Sequence, residues 1–344
     1  PPKSKTRLNG AFSPRDAGNP VFGETPAVFQ APTARAARPR VARERFAQSK
    51  SIGDPLKIHL LLRRAPWHLA ATLLLTSATA VSAQGNAVKG QYLANAAGCI
   101  GCHTVTKAGA TPYAGGRGLE TPFGTFYGPN ITPDKETGVG TWSEADFKRA
   151  IRQGERRDGS HYFPAFPYPS FTGMSDTDIQ DLWAFLKTVP PAKQANREHE
   201  LRFPYSLRFL VGGWKLMFFT PGPSPQATVV ASPVARGAYL VGTLGHCGEC
   251  HTPRNFLGGP DRNELLGGAR IPEGKVPNLT PTRLKKWSDA DLKEYLMSGT
   301  APSGEIAVEP MSEVITNTTS KLTADDIAAV IAYLRSLPPR DEPK

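Results

Sequence analysis

Two stretches of the chain carry the same apolar stripe. Ile179, Leu182, Trp183 and Leu186 fall at i, i+3, i+4 and i+7, and so do Ile327, Val330, Ile331 and Leu334. On a helix those positions share one face, so each stretch is read as an amphipathic helix laid on a core. Each stripe follows a hydroxyl placed three residues before an acid, Ser175/Asp178 and Thr323/Asp326. The same pair recurs as Ser143/Asp146 and Ser288/Asp291. A hydroxyl at the N-cap and an acid at N3 satisfy the free amides of a first turn, so four helix starts are expected. Pro190-Pro191 and Pro338-Pro339 stop the striped helices, since proline lacks the N–H that would continue them.

The stripes belong to a longer repeat. Gly90-Gln91-Tyr92-Leu93 returns as Gly237-Ala238-Tyr239-Leu240, offset by 147. Pro129-Asn130-Ile131-Thr132-Pro133 returns as Pro277-Asn278-Leu279-Thr280-Pro281, offset by 148, and Trp142-Ser143-Glu144-Ala145-Asp146 as Trp287-Ser288-Asp289-Ala290-Asp291, offset by 145. One unit of about 100 residues, an ordinary domain size, is used twice. Its expected parts are a first helix, a Gly/Pro-rich wrap, a middle helix and a terminal helix, with sparse strand signals. The boundaries read are 84–196 and 233–344, joined by a linker at 197–232.

All four cysteines sit in the repeat, as Cys99-Ile100-Gly101-Cys102-His103 and Cys247-Gly248-Glu249-Cys250-His251. A single four-cysteine zinc site would join pairs across a short loop, but 144 residues intervene here. A disulfide or thioredoxin-like redox pair would need no histidine after the second cysteine. Cys-x-x-Cys-His reads instead as attachment of c-type haem, two thiols adding to the vinyl groups and the histidine binding iron. Two covalent haems are expected, on Cys99 and Cys102 and on Cys247 and Cys250, with His103 and His251 as axial ligands.

A methionine opposite the histidine gives a high-potential electron-transfer haem. Met311, 60 residues after His251 in a loop before the last helix, is the expected sixth ligand of the second iron. Met297 is expected to pack inside the middle helix. For the first iron, Met174 is the candidate ligand, although it aligns with Leu322 and the position facing Met311 falls near Phe163. His161 is its rival, and an open iron is the third alternative. His246 reads as a motif filler and His199 as an exposed linker histidine. Arg117 and Arg270 are read as propionate partners or as plain surface arginines. Asn130 and Asn278 are read as sharing a role near the haem edge or as ordinary turn residues.

Charge divides the chain. Residues 1–83 hold 13 Lys and Arg against 4 Asp and Glu, and residues 84–344 hold 28 against 26. A nucleic-acid-binding protein would carry its charge on the folded body, so that class is excluded. Residues 1–56, rich in Pro, Arg and Ala and starting at Pro1, read as a disordered or artefactual extension. Residues 57–83 read as a signal peptide. Lys57, Arg63 and Arg64 form its charged region, Trp67–Ala80 its apolar stretch, and Val81-Ser82-Ala83 its small-residue cleavage site. The apolar stretch, about 14 residues, is shorter than the ~20 that span a bilayer. Cleavage after Ala83 and a periplasmic protein are expected. The linker from Leu201 to Pro225 is aromatic, with Phe203, Tyr205, Phe209, Trp214, Phe218 and Phe219. It is read as packed between the haem domains or as a membrane-surface or partner-docking segment.

From about Gly90 to Pro339 the chain resembles the haem-c electron-transfer subunits of bacterial periplasmic alcohol, gluconate, sorbitol and aldehyde dehydrogenases. The residues that carry the resemblance are Cys99-Ile100-Gly101-Cys102-His103-Thr104, Pro122-Phe123-Gly124-Thr125 with Pro129-Asn130-Ile131-Thr132-Pro133-Asp134, Tyr162-Phe163-Pro164-Ala165-Phe166-Pro167-Tyr168, Arg202-Phe203-Pro204 with Trp214-Lys215, and His246-Cys247-Gly248-Glu249-Cys250-His251-Thr252-Pro253-Arg254-Asn255. The fold implied is all-α, two tandem class I-like cytochrome c domains. The role implied is a dihaem subunit that takes electrons from a partner dehydrogenase and delivers them to a quinone or to another cytochrome or oxidase, with possible peripheral membrane association. It would carry no catalysis alone. A free periplasmic shuttle and a dihaem enzyme, such as a peroxidase or thiosulfate oxidoreductase, are the alternatives. Many members carry a methionine in the Pro-Ala-x-Pro-Tyr stretch, where this chain has Phe166, and that removes one usual ligand.

Overall fold

A computed structural model describes residues 85–222, 232–271 and 274–342, all within one unit of the fold. The extension expected over 1–56 and the signal peptide expected over 57–83 lie outside the described residues.

The first repeat opens with α1 (Ala87–Ala96), capped by Asn86, and passes through left-handed Gly98 into the one-turn helix α2 (Cys99–His103). The wrap that follows contains a hairpin of β1 (Gly118–Thr121) and β2 (Gly124–Tyr127). Then come α3 (Glu144–Gln153), the short α4 (Tyr168–Phe171) and the striped helix α5 (Asp176–Leu186). In the linker, β3 (Glu200–Leu201) adds an antiparallel edge to β2, and α6 spans Leu210–Phe218.

The second repeat follows the same order. α7 (Pro233–Tyr239) runs through a π-turn at Leu240–Leu244 into α8 (Gly248–His251). A hairpin of β4 (Ala269–Ile271) and β5 (Gly274–Val276) precedes α9 (Pro281–Leu284) and α10 (Asp289–Ser298). α11 (Met311–Asn317) and the striped α12 (Ala324–Ser336) complete it. The small sheets depart from an all-α expectation. Their strands have three or four residues in the hairpins, too short to leave a period-two pattern in the sequence.

In both repeats the first helix crosses the striped one, and glycine sets the crossing. A Cβ on Gly90 would fall onto the backbone carbonyl of Asp181, and one on Gly237 onto that of Ala329. Backbone contact this close needs a residue without a side chain. The stripes are buried as the pattern requires, with Ile179 and Ile327 at 0% and 1% exposure. Residues of both repeats join in one apolar cluster that includes Leu93, Leu186, Leu240, Leu244 and Leu334. Each such side chain contributes about 1.5–3 kcal/mol of transfer free energy.

The linker packs on both repeats. Val211 is buried with Phe126 and Phe163, Trp214 Nε1 donates to the Leu257 carbonyl at 3.0 Å, and the Tyr168 and Phe219 rings meet edge to face. The opposite side of α6 stays apolar and exposed, with Phe209 at 74% and Leu216 at 91%. No helix among the described residues is long and apolar enough to cross a membrane.

Candidate prosthetic-group sites

Cys99, Cys102 and His103 stand at i, i+3 and i+4 of α2, which puts two thiols and an imidazole on one face. Cys247, Cys250 and His251 repeat this at α8, with Cys247 as its N-cap in helical conformation. Burial pushes the Cys99 and Cys247 thiols up to about 12, and the neighbouring cysteine of each pair adds to it. A redox CxxC pair works through a thiol lowered toward neutrality, so these pairs do not suit that chemistry. Among the described residues no three His, Cys, Asp or Glu side chains converge as a metal cluster.

The histidines are set alike. His103 Nδ1 lies 2.7 Å from the Pro129 carbonyl, and His251 Nδ1 lies 2.7 Å from that of Pro277. Burial lowers both imidazoles below the ordinary histidine value, against the carbonyl bond that raises them. The ring is therefore neutral at pH 7, its Nδ1 proton goes to the carbonyl, and the Nε2 lone pair is left for a metal. That donor set fits haem c. The carbonyls arrive from the hairpins, and at Gly128 the wrap passes so close to the Cys102 carbonyl that no Cβ would fit.

Asn130 and Asn278, 3% and 0% exposed, lock the wrap in place. Asn130 Oδ1 accepts from the Thr132 amide and its Nδ2 donates to the Ala192 carbonyl at 2.7 Å. Asn278 Oδ1 accepts from Thr280 and its Nδ2 donates to the Arg340 carbonyl at 2.9 Å. Their shared role is to tie the loop after the Pro carbonyl to the tail beyond the last helix.

The other candidates fall in different places in the two repeats. Met311 is the first residue of α11 and partly exposed, rather than part of a loop. Met174 is 0% exposed and enclosed in the cluster shared by the two repeats, as is its counterpart Leu322 at 9%. No part of the Met174 thioether faces open space. His161 is held by the linker, with Arg208 donating to its carbonyl and Lys215 Nζ 3.3 Å from its Nδ1. Phe163 packs with Phe126 and Val211. Met297 is 37% exposed, not a core residue, because α10 turns that face outward. His199 is not a free surface group. Its ring meets Phe126 and Phe163, and its Nδ1 accepts from the Tyr127 amide. His246 lies against Phe171 in a positive-φ turn. Arg117 pairs with Glu313 of α11, an ion pair between the repeats, and Arg270 lies on an exposed strand position. Sequence reasoning missed Glu313, whose partner is 196 residues away.

A single-turn thiol helix, a histidine oriented through a proline carbonyl and a wrap clamped by asparagine, present twice, define a covalent haem protein. The cytochrome c family profile matches residues 87–190 and again 234–338, and the chain belongs to that family. It is 44% identical over 259 residues to a diheme cytochrome c-type protein of Cereibacter sphaeroides, covering 74% of this chain and 86% of that one. It is 39% identical over 290 residues to the cytochrome c subunit of alcohol dehydrogenase (quinone) from Gluconacetobacter polyoxogenes, covering 79% of this chain and 59% of that one. With the fructose dehydrogenase cytochrome subunit of Gluconobacter japonicus it shares 39% over 259 residues, 74% of this chain and 53% of that one. The chain thus spans little more than half of those two dehydrogenase subunits.

Proposed function

We propose that this cytochrome receives electrons from a partner dehydrogenase in the periplasm and delivers them to a quinone, another cytochrome or an oxidase. The observation that carries the reading is the duplicated site, with His103 and His251 each held to a proline carbonyl at 2.7 Å. The dehydrogenase subunits among its relatives support the partner class. Covalent haem c, one per repeat, would supply an iron that cycles between ferric and ferrous states. Cys99, Cys102, Cys247 and Cys250 would hold the two groups, His103 and His251 would bind iron, and Met311 would complete the second site. Export with cleavage after Ala83 belongs to the same reading, as does peripheral membrane contact through the exposed side of α6. Gentle purification of the native protein tests it. A co-purifying dehydrogenase whose substrate reduces all the haem supports the reading, and a lone protein reduced by no such partner refutes it.

Met174 remains the sequence candidate for the first iron; it is fully enclosed, in a cluster on which Cys99 also packs. The alternative, a dihaem enzyme such as a peroxidase or thiosulfate oxidoreductase, would need an iron open on one side. Carbon monoxide titration of the reduced protein separates the two. Binding to half the haem supports an open first iron, and no binding supports electron transfer alone.

A further inference from the structure

The middle and terminal helices begin with one sequence signature but are capped in two ways. In the middle helices the box closes locally. Ser143 N donates to Asp146 Oδ2 at 3.0 Å, and Ser288 N donates to Asp291 Oδ2 at 2.8 Å. In the terminal helices a tyrosine from the other repeat stands between the partners. Ser175 N donates to the Tyr239 hydroxyl at 3.2 Å, and that hydroxyl donates to Asp178 Oδ2 at 2.6 Å. Thr323 N donates to the Tyr92 hydroxyl at 3.2 Å, and that hydroxyl donates to Asp326. A cation from its own repeat holds each carboxylate out of the local box. Lys89 Nζ lies 2.8 Å from Asp178, and Arg236 lies 2.7 Å from Asp326.

The exchange is isologous: each repeat gives a tyrosine and receives one, as across a two-fold interface. Both hydroxyls bond a carboxylate, the stronger class of hydrogen bond. Two attachments at separate points resist sliding and rotation together. The helices themselves do not need the tyrosines. Ser175 Oγ and Thr323 Oγ1 already accept from the Asp178 and Asp326 amides at 3.0 and 3.2 Å, so each helix keeps a local cap without a tyrosine.

We propose that Tyr92 and Tyr239 are positioning residues, a reciprocal pair of caps that fixes the register of the two repeats and with it the separation of the haem sites between which electrons pass. The proposal rests on the electron-transfer reading above. It is tested on the holoprotein with Y92F/Y239F and, as a control, S143A, which breaks a cap inside one repeat. Two quantities are read: the haem–haem distance distribution by pulsed electron paramagnetic resonance, and the rate of intramolecular equilibration after flash reduction. S143A is expected to lower the melting temperature and leave both unchanged. Y92F/Y239F is expected to keep both haem absorption spectra, broaden the distance distribution and slow equilibration relative to the wild type. An unchanged distribution and rate in Y92F/Y239F would overturn the proposal. A wild-type protein without intramolecular transfer overturns the electron-transfer reading instead, and the distances still decide the role of the tyrosines. Should the double variant fail to accumulate, each single variant must show a smaller broadening, and its absence counts against the caps.

Discussion

The two repeats agree in the residues of their candidate haem attachment and differ in where their methionines lie. The thiol helices, the histidines, the proline carbonyls and the clamping asparagines correspond residue for residue. The methionines do not correspond. The second repeat presents Met311 at the start of α11, whereas the first buries its methionine, Met174, in the core shared with its neighbour. The candidate attachment residues are kept between the repeats and the methionines are not, so two irons held as proposed are expected to have different potentials.

The largest test of that comparison removes one attachment at a time. Cys99→Ser with Cys102→Ser, and separately Cys247→Ser with Cys250→Ser, should each leave half the covalent haem, measured as iron per chain. Loss of all haem from either pair would show that the repeats do not load independently. Next, Met311→Ala should abolish the far-red sulfur-to-iron absorption band, whereas Met174→Ala should keep it and cost about 2–5 kcal/mol in unfolding, as truncation of an enclosed side chain does. Loss of that band in Met174→Ala alone would reverse the asymmetry drawn here.

Smaller effects come from charge. The Arg117 and Glu313 side chains are each 20% exposed, so Arg117→Ala should cost about 1 kcal/mol, less at high salt. Denaturant melts at two ionic strengths check this. The smallest effect is acid sensitivity. Burial pushes the Asp326 carboxyl up, but its bonds to Arg236 and Tyr92 outweigh burial and hold it below the ordinary value of 3.8. Its contribution to stability is present above that value and is lost as pH falls through the lower, folded one. Asp326→Asn should flatten this part of the acid melt, and an unaltered slope would assign the sensitivity elsewhere.

What was legible in the sequence was local. The stripes of α5 and α12, the four capping pairs and the proline stops rest on spacings of three to seven residues, and each helix appears where those spacings put it. The CxxCH spacing placed both thiols and the imidazole on one helical face for the same reason. What stayed hidden was long-range. Nothing near Ser175 or Thr323 says that a tyrosine from the other repeat enters their caps. His199 looked exposed because its neighbours are polar, yet it packs on Phe126 and Phe163 once β3 joins β2. Met174 stood out because methionines are scarce in this chain, and only its packing reveals how completely the core surrounds it.

The asparagine clamps also set an order of events during synthesis. Asn130 waits for the Ala192 carbonyl, 62 residues further along, and Asn278 for the Arg340 carbonyl, 62 residues beyond it. Until the tail emerges, the wrap over each thiol helix lacks this fastening. Once it emerges, the loop is tied down over the thiol helix. Chains truncated before residue 192 should therefore react faster with a thiol reagent at Cys99 and Cys102 than the full chain without haem, in which both are half-buried.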